Sequence, residues 1–154
     1  MYLYLVQHGE AKPEEEDPSR GLTEKGMEDA RNSARSVKGM NIDVPVIFHS
    51  GKKRALQTAR IIEEEICPGR GVFEAEGLAP MDDPGGWAAR LAAIKEDTML
   101  VGHLPHLARL SALLLCGDRG NGVLDFTNGG IMRLRRSQEG NWTVNWIIKP
   151  GMQA

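Results

Sequence analysis

The sequence is poor in cysteine, carries no strong excess of either charge, and holds no apolar run of membrane-spanning length. Its two cysteines, Cys67 and Cys116, stand far apart in dissimilar surroundings. That argues against a disulfide-stapled scaffold and leads one to expect reduced, buried thiols. Cys/His ligand spacing is missing as well, so neither a metal site nor a cofactor is expected. A formal net charge of −2 gives no general attraction to nucleic acid or anionic membrane, and an anion site has to come from a local group of cations. The longest apolar stretches, such as Leu110 to Cys116, fall well short of a bilayer. The first residues lack a basic n-region and a small-residue cleavage site, so Tyr2 to Val6 reads as a strand rather than a leader core. The expected location is cytoplasmic, with neither nucleic acid nor membrane as partner.

What is present is ordinary for a globular chain: 154 residues, 41% hydrophobic and 26% charged, without internal repeat or low-complexity linker. One domain over residues 1–154 is expected. Short apolar runs at Tyr2–Val6, Val44–Phe48, Gly71–Glu76 and Thr98–Val101 alternate with helical patterns. In the first pattern Met27, Ala30, Ala34 and Val37 share a face, with Thr23 as N-cap and Gly39 as stop. The second runs from Lys52 to Ile66, the third from Pro84 to Ile94, and a leucine-rich one, read as core, from Leu104 to Cys116. Ile131–Arg135 and Trp142–Ile148, joined through Glu139-Gly140-Asn141, read as a closing hairpin. Strands alternating with helices predict an α/β fold, a three-layer α/β/α arrangement with a mainly parallel sheet and an antiparallel edge.

In such sheets ligands bind beyond the carboxyl ends of the strands, where helix N-termini also point. The first strand is followed by Gln7-His8-Gly9-Glu10, the second by His49-Ser50-Gly51-Lys52-Lys53-Arg54, and the one from Thr98 by Gly102-His103-Leu104-Pro105. Two histidines, a serine and an arginine thus gather at one sheet edge. A phosphoryl group needs cationic, fork-shaped or dipolar donors, here Arg54, a protonated His103 and helix N-terminal amides. A neutral imidazole supplies an in-line nucleophile without metal, provided its second ring nitrogen is held by an acceptor. Ser50 is equally a phosphate ligand or an N-cap by this reading. His49 and His106 read as structural, Glu10 as a rim residue and Glu14 to Asp17 as a solvated loop.

These blocks resemble those of the histidine phosphatase superfamily, the fold of cofactor-dependent phosphoglycerate mutase. Gln7-His8-Gly9 is similar to its Arg-His-Gly signature, Leu22-Thr23-Glu24-Lys25-Gly26 to its Leu-Thr-x-x-Gly helix opening, Ser50 to Ala59 to its Ser-x-x-x-Arg-Ala-x-Gln-Thr-Ala block, and Gly102-His103-Leu104-Pro105 to its Gly-His-x-Pro block. Four blocks in order over residues 1 to about 106 make a specific signal. The resemblance implies that His8 is the nucleophile that becomes phosphohistidine, with Arg54 and His103 holding the phosphoryl oxygens. Gln7, Gly9, Ser50 and Arg20 are the further phosphate-binding candidates. Thr127-Asn128-Gly129-Gly130 resembles a family loop that lines the pocket through its backbone.

Gln7 departs from the family pattern, since glutamine brings neither charge nor fork. No confident counterpart of the mutase branch's acid is visible, Asp82 and Asp83 being the nearest candidates. Loops other than 11–21 and roughly 77–86 are short, which predicts an open, shallow pocket. Together these features resemble the SixA-type branch, and imply a phosphohistidine-bearing protein as partner. An imidazole leaves without the strong acid an alkoxide needs. The alternatives are a broad phosphomonoesterase acting on small phosphorylated molecules, and a catalytically weak phosphate-binding module.

Overall fold

The computed structural model describes residues 1–118 and 122–152. In chain order the elements are β1 (Tyr2–Gln7), α1 (Glu24–Lys38), β2 (Val46–His49), α2 (Lys53–Ile66), β3 (Gly71–Glu74), α3 (Gly85–Ala93), β4 (Thr98–Gly102), α4 (His106–Cys116), β5 (Ile131–Arg136) and β6 (Trp142–Ile148). The strands form one six-stranded sheet ordered β3-β2-β4-β1-β5-β6. β3, β2, β4 and β1 are parallel, whereas β5 pairs antiparallel with β1, and β6 with β5. The fold is therefore the expected α/β sandwich with its antiparallel pair at one edge.

Burial on both faces explains the unbroken apolar character of the central strands. In β1, Tyr4 and Val6 pack with Ala34 and Val37 of α1 and Ala55, Ala59 and Ile62 of α2. The alternate residues Leu3 and Leu5 pack on the other face with Trp87 and Leu91 of α3 and Leu107 and Leu110 of α4. β4 divides the same way, Met99 and Val101 to one side and Leu100 to the other.

Element ends follow local chemistry. The Thr23 hydroxyl accepts from the Gly26 N–H at 3.0 Å and caps α1, and Gly39 closes it. Pro45 has no N–H to give the ladder, so β2 starts at Val46 rather than Val44. Pro105 likewise delays α4 to His106, because the residue before a proline is pushed out of the helical region. α4 turns one face to the sheet, so Leu107 and Leu110 are fully buried while Leu113 to Leu115 are only partly so.

The cysteines differ from expectation. Both are free thiols, but both are exposed. Each sits at the end of a helix, Cys67 in the left-handed cap of α2 and Cys116 as the last residue of α4 before Gly117. Among the described residues no helix is long and apolar enough to cross a membrane, and no group of three or more His, Cys, Asp or Glu residues could hold a metal ion.

Candidate active site

Register brings the motifs together. Gln7 of β1 pairs with Gly102 of β4, and His49 of β2 pairs with Val101, so the three parallel strands end almost level. The residues immediately beyond them, His8, His103 and Ser50, become neighbours. The imidazoles of His8 and His103 lie with centroids 4.9 Å apart, and Ser50 Oγ is 2.6 Å from His103 Nε2.

His8 is held at its backbone and its ring. Its N–H donates to the Gly102 carbonyl at 3.0 Å. Its Nδ1 lies 2.7 Å from the Gly9 carbonyl oxygen, which can only accept, so Nδ1 carries the proton and Nε2 keeps its lone pair. The pKa of His8 is lowered to about 4, first by burial, against the pull of the Gly9 bond, and then by the charges of Arg54 and Arg20. The ring is thus neutral near pH 7. Desolvation outweighs the neighbouring cations as the cause.

Gly9 is required for a steric reason. A Cβ on it would stand 2.6 Å from the Gly26 carbonyl oxygen, and a Cβ on Gly26 would run into the Glu10 backbone. Two glycines from separate motifs let the His8 loop lie directly on the first turn of α1. Glu10 completes this junction by accepting from the Thr23 hydroxyl at 3.0 Å, a structural duty at the rim.

Arg54, the second residue of α2, is partly buried, and its Nε has no hydrogen-bond partner among the described residues. Burial and the charge of Arg20 lower its pKa. Arg20 arrives by a different route. Its backbone is left-handed (φ 51°), and Asp17 folds the loop by accepting from the Ser19 and Gly21 amides. Lys53 clamps Asp17 to α2 at 3.4 Å, and the Arg20 guanidinium donates to the Lys12 carbonyl at 3.2 Å. Glu14, Glu15 and Glu16 remain solvated.

His103 rests in a different state from the protonated one expected against a phosphoryl group. It is 1% exposed, and its pKa is pushed down to about 3 by burial first, then by His8, Arg54, Lys52 and His106. It is a neutral ring, not a standing cation, and its Nδ1 has no hydrogen-bond partner among the described residues. Ser50 is not the N-cap of α2, which is Lys52. α2 starts after Lys52, and Ser50 Oγ accepts the Lys52 N–H at 3.3 Å within a turn while contacting His103.

Gln7 turns its amide to Asn128, donating to Oδ1 at 2.7 Å, while its own Oε1 is buried without a partner among the described residues. The 127–130 loop lies over the strand end, since the Gly129 N–H donates to the carbonyls of Gln7 (2.9 Å) and His8 (3.2 Å). Asp82 Oδ2 accepts from the Ala79 N–H and Asp83 Oδ1 from the Gly85 N–H, so both act in turns. They also line, with Glu74, Glu76 and Ser50, an open cleft of about 470 Å³ that meets the histidine pair only through Ser50. His49 and His106 are buried, His49 Nδ1 accepting the Gly51 N–H at 3.0 Å.

Sequence reasoning gave no role to Thr58 and Asn128. Thr58 lay inside a quoted motif, the only signal available for it. Asn128 stood in a loop read as a backbone contributor.

A neutral imidazole with its Nε2 lone pair kept stands beside two arginines, an arrangement chemically able to meet an oxyanion. The family model of the histidine phosphatase superfamily (branch 1) matches residues 3–83, and the chain belongs to that superfamily. It is 34% identical to an uncharacterized protein of Picosynechococcus sp., covering 88% of this chain and 85% of that one. It is 26% identical to the phosphohistidine phosphatase SixA of Escherichia coli (strain K12), over 97% of this chain and 94% of that one. A solved structure of the protein histidine phosphatase SixA complexed with tungstate superposes with a TM-score of 0.87 at 26% identity, covering 97% of each chain.

Proposed function

We propose that the chain is a phosphatase in which His8 Nε2 attacks phosphorus, and that its substrate is phosphohistidine on a protein. The observation that carries the chemistry is the His8 ring, locked through Nδ1 to the Gly9 carbonyl and kept neutral by burial. In the first step the Nε2 lone pair forms a bond to phosphorus while the bond from phosphorus to the leaving nitrogen breaks. A phosphohistidine already protonated on its other ring nitrogen leaves as a neutral imidazole and needs no acid from the enzyme. In the second step water attacks phosphorus, the His8–phosphorus bond breaks, and phosphate departs.

Arg54 and Arg20 supply the charge that meets the phosphoryl oxygens, with the Arg54 Nε as a buried donor. His103 acts as a neutral partner carried by Ser50, and a bound dianion would raise its pKa toward the protonated form. Gln7, held by Asn128, adds a neutral amide instead of a fork, and Gly9 admits the close approach of the loop to α1.

Choice of substrate rests on the cleft. Glu74, Glu76, Asp82 and Asp83 all line the space beside Ser50. Four carboxylates repel free dianionic esters and favour a phosphoryl group presented on a scaffold with cationic flanks. Likeness to SixA supports the same reading. Steady-state rates on a phosphohistidine peptide with basic flanks and on an aryl phosphate test it. The account expects preference for the peptide, and preference for the ester contradicts it in favour of a phosphomonoesterase.

A further inference from the structure

The hydroxyl of Thr58 occupies a position that its helix alone does not explain. It donates to the Arg54 carbonyl one turn back at 2.8 Å, a common arrangement for threonine within a helix. The same oxygen accepts the Gly9 N–H at 2.9 Å, from a loop 49 positions away in sequence. Thr58 is fully buried, so both capacities of the hydroxyl are used inside the protein and water cannot stand in for either. The loop it grips is the one whose carbonyl fixes the His8 ring at 2.7 Å. One oxygen therefore joins the turn that carries Arg54 to the residue that orients the nucleophile.

Three contacts define the backbone of Gly9 and the residue after it. Thr58 holds the N–H, the Gly26 backbone fills the space a side chain on Gly9 would need, and the Glu10 carbonyl accepts the Thr23 N–H at 3.0 Å. Glycine has no intrinsic preference strong enough to keep its carbonyl in one direction. Without the hydroxyl the Gly9 N–H loses its buried partner, and among the described residues the His8–Gly9 peptide keeps only the Gly129 N–H on the His8 carbonyl. The freed Gly9 φ lets the carbonyl of the next peptide unit lose its aim at Nδ1. An imidazole that loses this acceptor divides its proton between Nδ1 and Nε2, and the Nε2–H form has no lone pair with which to attack.

We propose that Thr58 is a positioning residue that fixes the tautomer of His8 and its placement relative to Arg54. This inference rests on the reading of His8 as nucleophile, but its main measurement does not require turnover. Long-range proton–nitrogen correlation spectra of the full chain at neutral pH report which His8 nitrogen carries the proton. The wild type gives the Nδ1–H form alone. Thr58→Val, which keeps shape and removes the hydroxyl, gives a mixture, and labelling of His8 by phosphoramidate slows by on the order of 10–100-fold. Thr58→Ser restores both. If Thr58→Val does not fold, Thr58→Ala is read in the same way.

An unchanged Nδ1–H form in the variant lacking the hydroxyl overturns the proposal. So does a serine variant that folds and fails to restore the form. A wild type that shows the Nδ1–H form but takes no label from phosphoramidate counts against the phosphatase reading and leaves the positioning role to be decided by the spectra.

Discussion

At the scale of single residues, the site depends on keeping histidines neutral, by burial and by the positive charges beside them. His8 has its pKa lowered to about 4 and His103 to about 3, burial being the first cause in both. An ordinary histidine with a pKa of about 6.5 is only about a tenth neutral at pH 5.5. The rate of His8 phosphorylation at limiting phosphoramidate is accordingly expected to stay within about twofold between pH 7.5 and 5.5, after correction for the reagent's own titration. A tenfold fall over that interval contradicts the account. Stability runs the same way. The folded pKa values lie below the unfolded one, so the unfolded chain binds more protons as pH drops from 6.5 toward 4 and the protein loses stability over that window. The motifs made His8, Arg54 and His103 legible as site residues, but not their protonation. Sequence spacing shows which charges are near and not how much water is removed, so the neutral resting ring of His103 was not legible.

At the scale of elements, the site is a junction between strand ends and the first turns of α1 and α2. Gly9 and Gly26 form the tightest part of it, each lacking a side chain because the other's backbone fills the space. Gly26→Ala places a methyl against the Glu10 backbone, and overpacking of this kind costs about 1–3 kcal/mol. The account predicts that loss in chemical denaturation, together with slower labelling of His8. A folded variant with full stability and rate means that the loop and helix are not seated as described. The sequence showed both glycines within motifs, and it placed α1, α2 and the strands to within a few residues. It did not show that the two motifs touch, since that contact depends on loop closure over residues 11–22. Arg20 is another product of this closure, carried inward by a left-handed backbone and an Asp17 turn. Its contribution could only be named as a nearby option from sequence.

At the scale of the whole molecule, charge is arranged by location, with a net charge of only −2. Arginines lie at the histidine pair and carboxylates at the adjoining cleft, a pattern invisible in bulk composition because the two nearly cancel. Glu74→Lys combined with Glu76→Lys is predicted to reduce the preference for a basic-flanked phosphohistidine peptide over an aryl phosphate by about tenfold, equivalent to ~1.4 kcal/mol. Added salt should shrink the wild-type preference and leave the variant's nearly unchanged. An unaltered ratio removes the cleft from substrate choice. The sheet order was not readable from the chain, yet it is what sets β4 between β2 and β1 and brings His103 between Ser50 and His8. All of this converges on whether His8 takes a phosphoryl group. Incubation with labelled phosphoramidate followed by a base quench tests it most directly. The account predicts acid-labile, base-stable label on the wild type and none on His8→Ala, whereas an unlabelled wild type, or label that survives in His8→Ala, contradicts it.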